Sequence, residues 1–374
     1  MQNVTVLGAG MVGSVMALDL ARDFRVRVVD RDDAALAPLA EAGLQTQRAD
    51  LSDPARIGAL VKDSDWVVGA VPGFMGRTTV EAVLGAGKSI VDISFFPEDP
   101  FELDALARER GRVAIVDCGV APGLSHMLLG HHWDTMTVSR YLCLVGGLPI
   151  ERRLPWQYKA PFSPIDVLEE YTRPARLRQN GKLVEKPALS DPEWVEIPGL
   201  GTMEAVNTDG LRSLLFSLPV PEMVEKTLRW PGHYDAIRLL RDGGFLDTTP
   251  LPGMPGGPTP LELSARLLLP QWKLEPGEAE LTVMRVDVQG HDERGPLLHR
   301  WDLDDRTTAA GVSSMARTTG YTCTATLRAL AEGLYDVPGI SPPETVARNA
   351  RAFERILALL AERDVTLHHT EIRG

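Results

Sequence analysis

Val4-Thr5-Val6-Leu7-Gly8-Ala9-Gly10-Met11-Val12-Gly13 decides the reading of the chain: an apolar run enters a G-x-G-x-x-G turn, an amphipathic stretch follows, and a second apolar run from Val26 ends at Asp30. That order reads as strand, glycine turn, helix and strand. Gly8 permits the tight turn, Gly10 lets a pyrophosphate approach the backbone, and Gly13 lets the helix lie close to the sheet. Val12, Val15, Met16 and Leu20 recur at helical spacing and give the helix an apolar face. The free amides at its N-terminus then face an anion. The stretch reads as a dinucleotide site, with Gly8, Gly10, Met11, Val12 and Gly13 against the cofactor. Asp30 falls at the spacing where an acid takes the adenosine ribose hydroxyls and repels a 2′-phosphate, so NAD is expected over NADP. Arg31 competes with that reading, since a guanidinium there can accept the phosphate or lie against the adenine.

The alternation continues with a helix over 33–43, a strand ending at Asp50, a helix over 54–62, a strand over 66–71 and a helix to about 87. A strand over 89–93, a helix over 101–111 and a strand over 113–117 complete it. Six strands alternating with helices imply an α/β fold, a doubly wound parallel sheet filling a first domain of residues 1–122. Ligands of such a sheet bind beyond the carboxyl ends of its strands. Asp50 and Leu51, Ala70, Val71 and Pro72, Ser94, and Gly119 and Val120 are therefore expected to face the cofactor. Asp92 and Asp117 lie at strand ends where chemistry would occur. Asp50, followed by Ser52-Asp53-Pro54, serves equally well as a helix-capping residue.

A length of 374 residues accommodates two domains with cores of their own. Hydrophobic residues at 44% and charged residues at 24% are those of a globular protein. A net charge of −12 argues against a nucleic-acid surface and leaves small molecules as the expected partners. No run approaches the roughly twenty apolar residues of a membrane span, and the sequence opens on a strand rather than a signal peptide, so a cytoplasmic location is expected. Cys118, Cys143 and Cys323 are widely spaced, with no CxxC, and read as free thiols. No metal site is expected. His131-His132 would point its rings apart on a helix, and His368-His369 falls at a terminus expected to fray.

From Gly119 the pattern breaks at Val120-Ala121-Pro122-Gly123, where Ser125 is placed to cap a new helix. Residues 123–311 read as an α+β domain with strands over 141–145, 281–288 and 298–303 and helices over 165–171, 221–228 and 234–241. Residues 291–295 read as a hairpin turn and 251–260, rich in Pro and Gly, as a loop. A third segment, 312–374, carries helices over 312–333 and 343–363.

There is no G-x-S-x-G elbow, no HExxH and no phosphate-binding GxxxxGKS/T loop, which leaves hydride transfer to a nicotinamide as the chemistry. The second domain must then supply substrate clamps. Its polar stretches are Tyr158-Lys159-Ala160-Pro161-Phe162-Ser163-Pro164, Glu170-Tyr171-Thr172-Arg173-Pro174-Ala175-Arg176, Asn207-Thr208-Asp209-Gly210-Leu211-Arg212-Ser213 and Leu228-Arg229-Trp230-Pro231-Gly232-His233. Together with Ala121-Pro122-Gly123-Leu124-Ser125, Gly146-Gly147-Leu148-Pro149 and Ser313-Ser314-Met315-Ala316-Arg317-Thr318-Thr319-Gly320, these resemble the lysine 6-dehydrogenase branch of the saccharopine dehydrogenase family. The resemblance spans nearly the whole chain.

It implies a Rossmann domain, an inserted α+β domain that binds substrate and makes a homodimer or higher homo-oligomer, and a C-terminal segment returning to the first domain. It also implies NAD-dependent oxidation of the ε-amine of L-lysine to 2-aminoadipate 6-semialdehyde, which cyclises, with release of ammonia. The amine must lose a proton before it can give up hydride, and water must then attack the iminium. Asp92, Asp117, His126 and Asp209 are the candidate bases. Arg212 is the first candidate for a bidentate clamp on the α-carboxylate and Arg173 the second, with Tyr158, Trp230 and His233 as further substrate contacts. Each arginine reads equally well as a structural ion pair. The alternatives are oxidation of a secondary amine, as in saccharopine or carboxynorspermidine, and a non-catalytic NAD sensor.

Overall fold

In a computed structural model of the chain the described residues are 1–160, 164–251, 253, 256–275 and 277–374. Pro161, Phe162 and Ser163 of the 158–164 stretch, and Pro252, Met254 and Pro255 of the 251–260 loop, lie outside them. The chain opens with β1 (Asn3–Leu7), α1 (Met11–Leu20), β2 (Arg25–Asp30), α2 (Asp33–Glu41), β3 (Gln45–Arg48) and α3 (Pro54–Val61). It continues through β4 (Trp66–Gly69), α4 (Gly73–Gly85), β5 (Ile90–Asp92), α5 (Asp104–Glu109), β6 (Val113–Ile115) and α6 (Leu124–Trp133). Next come β7 (Thr137–Pro149), α7 (Pro164–Thr172), β8 (Ala175–Gln179), β9 (Lys182–Lys186), β10 (Glu193–Ile197), β11 (Gly201–Asn207), α8 (Leu214–Ser217) and β12 (Glu222–Arg229). The remainder is α9 (His233–Asp242), α10 (Pro260–Trp272), β13 (Glu280–Asp292), β14 (Gly295–Arg306), α11 (Ser314–Ala331), β15 (Gly339–Ser341), α12 (Pro343–Ala347), α13 (Ala350–Ala361) and β16 (His368–Arg373).

One compact unit comprises Met1–Thr137 and Met315–Thr366, the other Val138–Ser314 and Leu367–Gly374. The first holds a parallel sheet of seven strands in the order β15-β6-β5-β4-β1-β2-β3. Its strands are near-continuous apolar runs because helices cover both faces: Val6, Leu7, Val67, Val68, Ile90 and Val91 are buried. Asp32 and Asp53 cap α2 and α3 by accepting from Ala34 N and Ala55 N. The seventh strand, β15, is contributed from far along the chain and extends the six expected from sequence.

The second unit holds a mixed sheet, β10-β11-β12-β7-β13-β14-β16, with the β8–β9 hairpin joined to β12. Residues 221–228, expected to be helical, form β12 in its interior. Glu225 and Lys226 are buried there, and Lys226 Nζ donates to Asp191 O at 2.7 Å. Pairing on both sides of the strand overrides local propensity.

Other boundaries shift for local reasons. Ser125 lies inside α6; the cap position is Gly123, whose φ of 132° suits glycine. The helix expected over 343–363 is broken at Asn349, whose side chain caps α13 by accepting from Arg351 N and Ala352 N. The first unit keeps α6 and so passes residue 122, while the segment from 312 divides, its last residues pairing as β16 with β14. His368-His369 therefore lies in an ordered strand rather than a frayed end. Among the described residues no helix is long and apolar enough to cross a membrane.

Within the first unit, α1 carries a buried carboxylate. Asp19 Oδ1 accepts from Arg363 Nε at 2.6 Å, and Oδ2 accepts from Arg328 Nη1 at 2.7 Å and Thr324 Oγ1 at 2.6 Å. Removing one member of such a cluster strands the opposite charges in the interior. Asp19→Ala is expected to cost about 3–5 kcal/mol in unfolding free energy. Arg22→Ala, on an exposed arginine 3.9 Å from the same carboxylate, should stay within about 0.5 kcal/mol. Denaturant melts of both variants check this, and a loss for Asp19→Ala as small as about 0.5 kcal/mol would show the cluster to be unimportant.

Candidate functional site

The carboxyl end of β1 leads into the glycine turn. Gly8 has φ 113°, and a methyl there would strike the carbonyl of Ala70; a methyl at Gly13 would strike the carbonyl of Gly8. Gly10 differs, because a methyl there would meet nothing within 4 Å. It is also the N-cap of α1 and offers no side-chain cap, so the first amides of the helix are left for a ligand. Asp30 closes the turn: Oδ2 accepts from Ala9 N at 2.7 Å and Oδ1 from Asp32 N at 2.9 Å. These features fit a dinucleotide, whose pyrophosphate would lie at the α1 N-terminus. Asp50 is exposed and accepts from Ser52 N at 2.9 Å, which holds its carboxyl below the usual range; the cap of α3 is Asp53.

Two strands along, Asp92 ends β5 and is wholly buried. Its Oδ1 accepts from Ser94 N at 2.9 Å and from Ser94 Oγ, while Oδ2 makes no hydrogen bond among the described residues. That oxygen lies over Gly69, where any side chain would collide with it, and Gly76 likewise makes room for Ser94 Oγ. Burial pushes the Asp92 carboxyl up to about 8, against the Ser94 hydrogen bonds and helped by the charge of Asp117. Asp117 is itself buried and has φ 54°. His126 is also buried, with Nδ1 3.6 Å from Glu344 Oε2. The tight seating of α6 on α12 requires Gly130, since a methyl there would overlap the Glu344 backbone.

In the second unit, Tyr158 and His233 come together with ring centroids 4.8 Å apart, beside Tyr171 and Trp272. His233 Nδ1 is 2.8 Å from Trp156 O; a carbonyl only accepts, so Nδ1 carries the hydrogen. His233 Nε2 then accepts from Tyr171 OH at 2.8 Å, and Tyr171 OH accepts from Arg229 Nε at 3.2 Å. Arg229 also donates to Glu170 Oε2 at 3.0 Å, and its guanidinium lies 4.7 Å from the Tyr158 ring centre. Burial, with Arg229 beside it, holds His233 down to about 3, so the ring is neutral. The Tyr158 hydroxyl is buried without a hydrogen bond among the described residues.

The other expected clamps lie apart from this cluster. Trp230 packs its ring in a different apolar cluster with Leu144, Leu148 and Leu228 and donates Nε1–H to Pro149 O at 2.9 Å, while its carbonyl accepts from His233 N at 3.2 Å. Arg212 lies in the β11–β12 connection, at the opposite end of that ladder from Arg229 and His233; it is buried, with φ 46°. Arg173 is half-buried just before β8. Asp209 is held by Arg176, Nε to Oδ1 at 2.8 Å and Nη2 to Oδ2 at 2.9 Å, which makes it an ion-pair partner rather than the expected proton acceptor.

Residues 4–115 match the family model described as the saccharopine dehydrogenase NADP binding domain, and residues 119–365 match the saccharopine dehydrogenase C-terminal domain. The chain belongs to the saccharopine dehydrogenase family. A relative from Schizosaccharomyces pombe, saccharopine dehydrogenase (NADP+, L-glutamate-forming), is 26% identical over 67% of this chain and 59% of its own length. Mouse mitochondrial alpha-aminoadipic semialdehyde synthase is 24% identical over 70% of this chain and 30% of its own. The chain thus spans less than two thirds of the length of these relatives. Apo saccharopine dehydrogenase (L-Glu forming) from Saccharomyces cerevisiae superposes with a TM-score of 0.81 over 100% of both chains at 18% identity, and so shares the fold.

In this family member, sequence reasoning missed Arg229 and Tyr171, although both lie in the polar stretches quoted above. The available signal was local: Glu170-Tyr171 and Leu228-Arg229-Trp230 each set a charged side chain next to an aromatic one. Asp92 generates a prediction. Its carboxyl is raised from 3.8 to about 8, so the native state keeps a proton that the unfolded chain gives up. The stability this confers is fully present below pH 4 and is lost as pH rises toward 8. Asp92→Asn, neutral throughout, should abolish that part of the decline, whatever constant offset the substitution adds. Melting temperatures measured between pH 4 and pH 8 decide it: parallel profiles for the two proteins would overturn the assignment.

Proposed function

We propose that this chain is a dehydrogenase that oxidises the ε-amine of L-lysine with NAD as hydride acceptor, releasing ammonia and 2-aminoadipate 6-semialdehyde. The reaction consumes lysine, NAD+ and water and yields the aldehyde, ammonium, NADH and a proton. The observation that carries the cofactor half is the Asp30 carboxylate, fixed on Ala9 N at the end of β2, where an acid receives ribose hydroxyls and disfavours a 2′-phosphate. Gly8, Gly10, Gly13 and the α1 N-terminus would hold the dinucleotide, which when bound supplies the hydride acceptor. The substrate half is supported by membership of an amino-acid dehydrogenase family and by the resemblance of the second-unit motifs to those of lysine 6-dehydrogenases. Asp92 retains a proton at neutral pH, so it serves as a base only as pH approaches about 8.

A second reading, NADP-dependent oxidation of saccharopine, draws on the names of the relatives, and Arg31 beside Asp30 is the residue that would support it. Formation of reduced cofactor, followed with lysine or saccharopine and with NAD or NADP, separates the two. Lysine and NAD should be the productive pair, and Asp30→Ala should weaken NAD more than NADP. Binding of NADP tenfold tighter than NAD, about 1.4 kcal/mol, would reassign specificity to Arg31.

Arg212 is proposed as the clamp on the substrate α-carboxylate. Arg212→Ala should then cost on the order of 2–5 kcal/mol in kcat/KM with lysine and leave NAD affinity unchanged. Cadaverine, which lacks the carboxylate, should be oxidised equally by both proteins. Equal losses with the two amines would make Arg212 structural and move the clamp to Arg173.

A further inference from the structure

We propose that His299 and His369 form a two-imidazole seat for a divalent transition-metal ion on the β14–β16 edge of the second sheet. The strands run antiparallel, with His299 opposite Glu371 and Trp301 opposite His369. Residues directly opposite share a face, as do residues two apart, so these four side chains stand on the same side of the ladder. His299 Nδ1 and His369 Nε2 are 3.0 Å apart, with ring planes inclined by 29°. That spacing allows one ring to donate to the other. It also equals the edge between adjacent ligands of a zinc-sized ion, about 2.9–3.4 Å for metal–nitrogen distances of about 2.0–2.1 Å.

The rings are held in place for such a role. Trp301 stacks on His369 with centroids 4.1 Å apart and planes within 15°, while His299 is buried. Glu371 stands on the same face, and Arg373 Nε donates to its carboxylate at 2.6 Å. Paired imidazoles suit Zn2+, Cu2+ and Ni2+ and not Ca2+ or Mg2+, and they leave further coordination positions for water. His368, opposite Asp302, projects from the other face and is the natural control.

The test uses the full chain, stripped with a chelator and titrated with Zn2+ by calorimetry and with Cu2+ by indole fluorescence. Wild type should take up one equivalent, His369→Gln and His299→Gln should each weaken binding at least tenfold, and His368→Gln should not. Cu2+ should quench fluorescence, and Trp301→Phe should remove most of the quench while leaving the Zn2+ titration intact. The proposal is overturned if the double variant His299→Gln with His369→Gln binds Zn2+ as tightly as wild type, or if His368→Gln costs as much as His369→Gln. Circular dichroism spectra of the variants establish that a loss of binding is not a loss of fold.

Discussion

The position of the nucleotide-binding helix depends on the Asp19 carboxylate. Asp19 sits on the side of α1 that turns away from the glycine loop and into the unit, where Arg328 of α11 and Arg363, just beyond α13, converge on it. A buried ion cluster contributes little net stability compared with apolar packing, because desolvation offsets most of the attraction. Its value here is selective. Both carboxylate oxygens are taken, Oδ1 by Arg363 and Oδ2 by Arg328 and Thr324, which ties α11 and the segment after α13 to one register on α1. The close approach of Gly320 to Met16 and Val12 follows from that register.

The glycine turn was legible because its constraints are local. A positive φ at Gly8 and close approaches at Gly8 and Gly13 are properties of a few adjacent residues, and Asp30 reports on the same turn. Asp19 was illegible for the opposite reason. An acid between apolar residues on a helix looks exposed until its partners are known, and these lie 309 and 344 residues away in the chain. The same limit hid β12, where Glu225 and Lys226 are buried and Lys226 Nζ finds its acceptor, Asp191 O, in a segment 35 residues away. Of the candidate site, the strand-end acids could be named from sequence. That Asp92 is sealed while Asp209 is neutralised by Arg176 depends on contacts between distant segments.

The two units use buried polar groups differently. Around His233 every donor has a defined direction, from Arg229 through Tyr171 to the imidazole and on to the Trp156 carbonyl, so the chain of bonds fixes one tautomer and little is left to titrate. Asp92 is the converse, a carboxyl with one oxygen unsatisfied and its proton retained by burial. The first arrangement gives rigidity. The second leaves a group whose charge state can change near neutrality.

The order of the elements along the chain bears on how the protein is made. Six strands of the first sheet, with α1 among them, precede the second unit, yet β15 and the helices that cover α1 follow all of that unit but its last strand, β16. On the ribosome the early segments therefore emerge with a bare sheet edge at β6 and an unneutralised Asp19, and they wait for well over a hundred further residues before either is satisfied. In that interval the first unit is a template for unwanted strand pairing, whereas most of the second sheet can assemble from contiguous sequence. Nascent chains of this protein should thus be most dependent on holding chaperones midway through synthesis, and truncation within α11 should yield aggregates rather than a shortened, folded nucleotide-binding unit.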